Sequence, residues 1–131
     1  GGCFNHRSSL SEHVLINENH ITAAGSLIKA VELSRKFAPH TAKVEVETEN
    51  LDDVREALEA GAEVIMLDNM SIEEIRQAVD LIDRAALVEI SGGVTLDTIA
   101  KYASTGVDII SVGALTHSAP SADFSMIIPK A

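Results

Sequence analysis

Residues 64–93 read VIMLDNMSIEEIRQAVDLIDRAALVEISGG. Two short apolar runs, Val64 to Asp68 and Ala86 to Ser91, flank a segment in which Ile72, Ile75, Val79 and Ile82 recur at helical spacing. Ser71, with Glu74 three residues on, matches the capping box that starts a helix. The flanking runs are β-branched, too short for helices, and mostly apolar instead of alternating. That is the pattern of strands buried on both faces, as in parallel sheets covered by helices. The stretch therefore predicts strand, helix, strand.

The same unit repeats outward. Val14 to Ile16 and Lys43 to Glu47 read as strands upstream, and Asp108 to Gly113 reads as one downstream. Asn50 predicts a cap for a helix running to Gly61. Ser26 predicts another, with Leu27, Ala30, Val31 and Ala38 facing inward. Thr95 predicts a third, with Leu96, Ile99 and Ala103 on one face and a stop at Gly106. The order is βαβαβαβαβ, so the fold class is α/β with parallel strands. Five strands are too few to close an eight-stranded barrel, and a doubly wound sheet also uses five. The repeat is one of structure; no sequence motif recurs.

Bulk properties narrow the function. The chain has 131 residues, enough for one domain, and 46% hydrophobic residues, enough for a sizeable core. A formal net charge of −10 argues against nucleic acid or an anionic membrane surface as partner. No apolar run approaches the roughly 20 residues of a membrane span. The single cysteine, Cys3, excludes an internal disulfide and suits a reducing cytoplasm. The opening Gly1-Gly2-Cys3-Phe4 has neither an initiator methionine nor the pattern of a signal peptide, so the chain is expected to be a fragment.

Every apolar run ends in polar residues or glycine. These ends are Asn17-Glu18-Asn19-His20, the acids Glu45, Glu47 and Glu49, Leu67-Asp68-Asn69, Glu89-Ile90-Ser91-Gly92-Gly93, and Val112-Gly113-Ala114. Any one tip is as well explained by a turn. Five together point to a shared ligand rim, because parallel α/β folds bind at the carboxyl ends of their strands. Ser91-Gly92-Gly93 before a helix cap, with Gly113, is a candidate phosphate cradle. Glu45, Glu47 and Glu49 fall on one strand face. Such a stripe is most often solvated, but inside a mouth it suits sugar hydroxyls or Mg²⁺. His6-Arg7 is a candidate anion clamp, and His6, His13 and His20 lack the spacing of a metal site.

Read together, these residues resemble the quinolinate phosphoribosyltransferase family. The matching segments, in order, begin with Gly1 to Arg7 and Leu10-Ser11 with Val14 to Ile21. Val44 to Glu47, Met66 to Asn69, Ser91 to Thr95 and Thr105 to Ser118 follow. The resemblance spans nearly the whole chain. It implies a partial (β/α) barrel lacking the family's N-terminal domain and its first barrel strand, residues 1–131 being the C-terminal portion of the barrel domain. It implies transfer of phosphoribosyl from phosphoribosyl pyrophosphate to quinolinate with Mg²⁺, giving nicotinate mononucleotide, pyrophosphate and CO₂ in NAD synthesis. By that resemblance Glu47 and Asp68 are catalytic and adjoin any Mg²⁺ carried by the substrate. His6, Arg7 and Asn17 meet substrate, and Ser91, Gly92, Gly93, Gly113 and Ala114 hold the 5′-phosphate. A homo-oligomer, a dimer in the family, is implied as well. Asn17 stands where the family carries lysine, which keeps the molybdenum-linked relatives in view. The other rivals are a related phosphate-binding barrel enzyme, and a non-catalytic fragment or assembly module. The charge of the chain predicts that it does not catalyse alone.

Overall fold

Ser71 caps its helix as the sequence predicts. Its hydroxyl accepts from the Glu74 backbone N–H, and the Glu74 carboxylate accepts from the Ser71 N–H at 2.9 Å. Those donations from the Ser71 hydroxyl and backbone hold the Glu74 carboxyl below its usual range. The helix that follows buries Ile75, Ala78 and Ile82, with Ile72 and Val79 at the edge of the stripe.

A computed structural model describes residues 2–129; Gly1 of the opening segment lies outside them. In chain order the elements are β1 (Val14–Ile16), α1 (Glu18–Ala24), α2 (Leu27–Phe37), β2 (Val44–Thr48), α3 (Leu51–Glu59) and β3 (Val64–Asp68). There follow α4 (Ile72–Ile82), β4 (Leu87–Ser91), α5 (Ile99–Ala103), β5 (Ile109–Ile110) and α6 (Ala114–His117).

All neighbouring strands pair in parallel, in the order β1-β2-β3-β4-β5. This order decides between the two architectures. A doubly wound sheet reverses its strand order at a switch point, which places helices on both faces. Here each strand adds beside the last, so right-handed crossovers put the helices on one side. Ile16, Val44, Val46, Ile65, Leu67, Val88 and Ile90 pack with those helices into one core. Leu15, Glu45, Glu47, Met66, Glu89 and Ser91 line a cavity on the other face. The result is a partial barrel with its concave interior open.

Carboxylates before two strands fasten the base of the sheet. Glu63, just before β3, accepts the Val44 N–H at 2.8 Å and pairs with Arg35 at 2.8 Å. Asp108, just before β5, accepts the Val88 N–H at 2.8 Å. Each satisfies a strand-end donor that the ladder leaves over.

Four expectations need correction. Asn17 to His20 are not a frayed strand end, because α1 starts there. Thr95 caps no helix: α5 begins at Ile99, Leu96 is 94% exposed and Ala103 faces solvent, so only Ile99 packs inward. The Thr95 N–H is instead taken by the Thr98 hydroxyl at 2.9 Å in a preceding turn. The last strand shrinks from Asp108–Gly113 to two residues, since beyond Ile110 the chain turns into α6. Ala38 is half-buried beyond the end of α2 and is not part of its inward face.

Candidate active site

The concave face encloses a cavity of about 1200 Å³. His6 and Arg7 reach it from the irregular opening segment, Glu45 and Glu47 from β2, Glu89 and Ser91 from β4, and Ser111 and Gly113 from beyond β5. Alternation along the strand explains Glu45 and Glu47, which share one face of β2 while Val44 and Val46 fill the helix-side core.

Depth sets the chemistry of each acid. Glu47 is half-buried near the rim, next to Asp68 at the end of β3. Burial pushes the Glu47 carboxyl above its usual range, and the negative charges of Asp68, Glu18 and Glu49 add to the effect. The two acids therefore face one region, and Glu49 is exposed beyond them. Asn69, in the left-handed conformation at φ 53°, donates its side-chain amide to the Asp68 carboxylate at 2.7 Å. Its backbone N–H binds the Ser91 carbonyl at 3.1 Å, which ties the tips of β3 and β4 together.

Deeper in, the structure brings together groups that sequence reasoning did not join. Glu45 and Glu89 are buried, at 6% and 2% exposure. The His6 Nε2 lies 3.4 Å from the Glu45 carboxylate and 3.1 Å from that of Glu89. The Ser111 hydroxyl donates to the same Glu89 oxygen that His6 approaches. Burial raises the Glu45 carboxyl to about 7, with the Glu89 charge adding to it and His6 opposing. Among the described residues the Glu45 Oε1 has no hydrogen-bond partner. The sequence places Glu89 among the polar strand ends but gives it no role, because a glutamate inside an apolar run carries no motif. Its one signal was a charge at a position whose neighbours, Val88 and Ile90, are core.

The remaining expected residues divide. Arg7 lines the cavity half-buried and makes no ion pair among the described residues. Ser91 and Gly113 line it too, whereas Gly92, Gly93 and Ala114 adjoin those residues in sequence without lining it. Gly92, at φ +87°, passes so close to Asn69 that an added Cβ would stand 2.3 Å from its Oδ1. The helix expected directly after Gly93 starts six residues later, so no helix dipole adjoins Ser91 to Gly93. Asn17 is spent on structure: its Oδ1 caps α1 by accepting from His20, whose Nδ1 accepts from the Asn17 N–H at 3.2 Å.

A parallel sheet in sequential order, with helices on one face and a cavity on the other, defines part of a β/α-barrel. A family model described as quinolinate phosphoribosyl transferase, C-terminal domain, matches residues 1–127, and the chain belongs to that family. It is 43% identical over 96% of its length to a probable nicotinate-nucleotide pyrophosphorylase [carboxylating] of Bacillus subtilis (strain 168), covering 44% of that protein. It is 40% identical over 96% of its length to the human nicotinate-nucleotide pyrophosphorylase [carboxylating], covering 43% of it. The crystal structure of NadC from Streptococcus pyogenes superposes with a TM-score of 0.86 at 46% identity, over 97% of this chain and 45% of that one. The chain thus spans about half the length of the curated relatives it matches. A thiamine phosphate pyrophosphorylase from Pyrococcus furiosus, at 20% identity and a TM-score of 0.65, shares the fold.

Proposed function

We propose that this chain forms the barrel portion of an enzyme that joins quinolinate to the ribosyl group of phosphoribosyl pyrophosphate, with loss of CO₂. The carrying observation is the convergence of His6, Arg7, Glu47, Ser91 and Gly113 on one cavity, with the charge of Asp68 acting on Glu47 from the end of the neighbouring strand. Arg7, free of ion pairs among the described residues, offers a planar fork to a pyridine carboxylate. Glu47 and Asp68 face positive charge that develops at the anomeric carbon as its bond to pyrophosphate opens, and preorganised carboxylates favour that charge. Ser91, which pairs in register with Asp68, and the backbone near Gly113 take the 5′-phosphate. Fixing both substrates lines up the pyridine nitrogen with that carbon. Decarboxylation follows because the electron pair left on the ring carbon as CO₂ departs is stabilised by the adjacent positive nitrogen, and a proton from water then bonds to that carbon.

The acids around Glu47 fit Mg²⁺. Burial first, and then the charges of Asp68, Glu18 and Glu49, raise the Glu47 carboxyl, and a hard cation with oxygen preference would relieve the charge crowding. Glu47 and Asp68 would hold it together with the pyrophosphate, whose charge it neutralises.

The chain by itself lacks cations for two polyanionic substrates: it carries 10 Lys and Arg against 20 Asp and Glu. The remaining cations are assigned to the portion its relatives have and this chain does not, and to a second subunit of a homodimer acting in the cytoplasm. The test is nicotinate mononucleotide formation by this chain alone and by the chain joined to the N-terminal half of a curated relative, with the solution mass of each. Turnover only in the completed protein is expected. A completed protein that folds and gives no product overturns the activity, and full turnover by the monomeric chain overturns the division of labour.

A further inference from the structure

We propose that Glu45 and Glu89 are positioning residues that hold the His6 ring by its Nε2–H and so aim the rest of the ring into the cavity. Residues 2–13 belong to no helix or strand, and their hydrogen bonds among themselves are local, such as Glu12 N–H to the Ser9 carbonyl. Phe4, two residues before His6, is 99% exposed. Nothing in the backbone of this segment fixes the ring. The carboxylates do, from 3.1 and 3.4 Å, and they sit on rigid strands. Glu45 comes from β2 and Glu89 from β4, spanning β3 between them. Ser111 braces Glu89 from the third side.

One N–H shared between two buried carboxylates fixes both the tautomer and the tilt of an imidazole. Nδ1 is then the polar atom the ring presents to the cavity that His6 lines. The role of that atom rests on the reading above, in which His6 meets a carboxylate of quinolinate. The buried acids do not touch substrate; they act through the ring. A ring free to turn by an ångström loses alignment worth up to about a hundredfold in a catalytic or binding step.

The experiment uses the chain completed with the N-terminal half of a curated relative and labelled with ¹⁵N, read by the two ring-nitrogen signals of each of this chain's histidines, together with calorimetric titration of quinolinate and, separately, of phosphoribosyl pyrophosphate with Mg²⁺. Wild type is expected to show a hydrogen on the His6 Nε2. Glu89→Ala should shift that signal, leave His13, His40 and His117 unmoved, and weaken quinolinate binding about tenfold or more. Glu89→Gln keeps an acceptor oxygen and should largely restore both readouts. Phosphoribosyl pyrophosphate binding should change less than threefold. Should Glu89→Ala fail to fold, Ser111→Ala, which only loosens the brace, must move the His6 signal in the same direction. Unchanged His6 signals in these variants overturn the proposal, as does a shifted ring with unchanged quinolinate affinity. So would loss of the Nε2 hydrogen on adding stoichiometric Zn²⁺, since the three groups would then be a cation site. If wild type binds no quinolinate while its ring signals still respond to Glu89→Ala, the substrate reading fails and the seat stands.

Discussion

Replacing Glu45 by Gln should stabilise the chain above neutral pH and do little in acid. The Glu45 carboxyl is raised from 4.5 to about 7, chiefly by burial and next by the charge of Glu89. A carboxyl with a raised folded-state value holds its proton more tightly folded than unfolded. Its contribution to stability is therefore complete below about 4.5 and is lost as pH rises to about 7. Each pH unit across that window is worth about 1.4 kcal/mol, which sets a ceiling of roughly 3 kcal/mol. Solvent reaching the site through the open cavity screens part of this, so about 1 to 3 kcal/mol is expected. Gln keeps the shape and a donor for Glu89 and never ionises. Urea unfolding followed by far-ultraviolet circular dichroism, between pH 4.5 and 8.5, gives the difference between Glu45→Gln and wild type at each pH. That difference cancels the opposing trends of Glu63 and Glu74. It should grow in favour of the variant up to about pH 7 and then level off. A difference independent of pH, or one that grows toward acid, would refute the reasoning and mean that Glu45 is ionised in the folded chain throughout.

Three further outcomes follow from particular contacts. Gly92→Ala combines a strained φ with a 2.3 Å approach to Asn69 and should cost about 2 to 4 kcal/mol, whereas Gly93→Ala, with open space around it, should cost about 1; equal losses in urea melts would show the Asn69 contact to be irrelevant. Asp68→Ala, in the chain completed with a relative's N-terminal half, should lower kcat about a hundredfold or more while changing stability by under about 1 kcal/mol; a loss of folding that matches the loss of turnover would make Asp68 a turn residue. Burial pushes the Glu63 carboxyl up, but hydrogen bonds from Arg35 and the Val44 N–H outweigh it and leave it lowered. Glu63→Ala should therefore cost stability at neutral pH, about 1 kcal/mol after screening of this partly exposed pair, and that cost should vanish as pH falls below the lowered value; a cost that persists in acid would trace to packing.

Local patterns carried most of the fold. The apolar runs at Val64 to Asp68 and around Val88, the capping box of Ser71 and Glu74, and the caps at Asn50 and Ser26 are decided within a few residues, because hydrogen bonding to the nearest backbone donors and side-chain periodicity are local physics. The same local logic applies to α1, framed by its Asn17 cap and Gly25 stop, but a polar run directly after an apolar one reads equally as a strand end. Thr95 misled because Thr95 and Thr98 are equivalent as caps in sequence; the Thr98 hydroxyl binding the Thr95 N–H decided against it. At the site, the pairing of Glu47 with Asp68 and the place of His6-Arg7 came from ordered motifs, not from periodicity.

The sequence by itself determined the parallel strand–helix repeat, the face of β2 that carries its acids, and the family. Tertiary structure alone decided three things. It set the strand order, the physical ground for the partial barrel that strand periodicity left open and only the family resemblance implied. It assigned Asn17 to capping a helix. It also joined His6, Glu45, Glu89 and Ser111, the first and last of which lie more than a hundred residues apart in the chain. The reason is that strand order and register fix which side chains meet across a sheet, and those are long-range pairings. A glutamate flanked by valine and isoleucine looks like a flaw in a core strand until the neighbouring strand and a loop supply its partners.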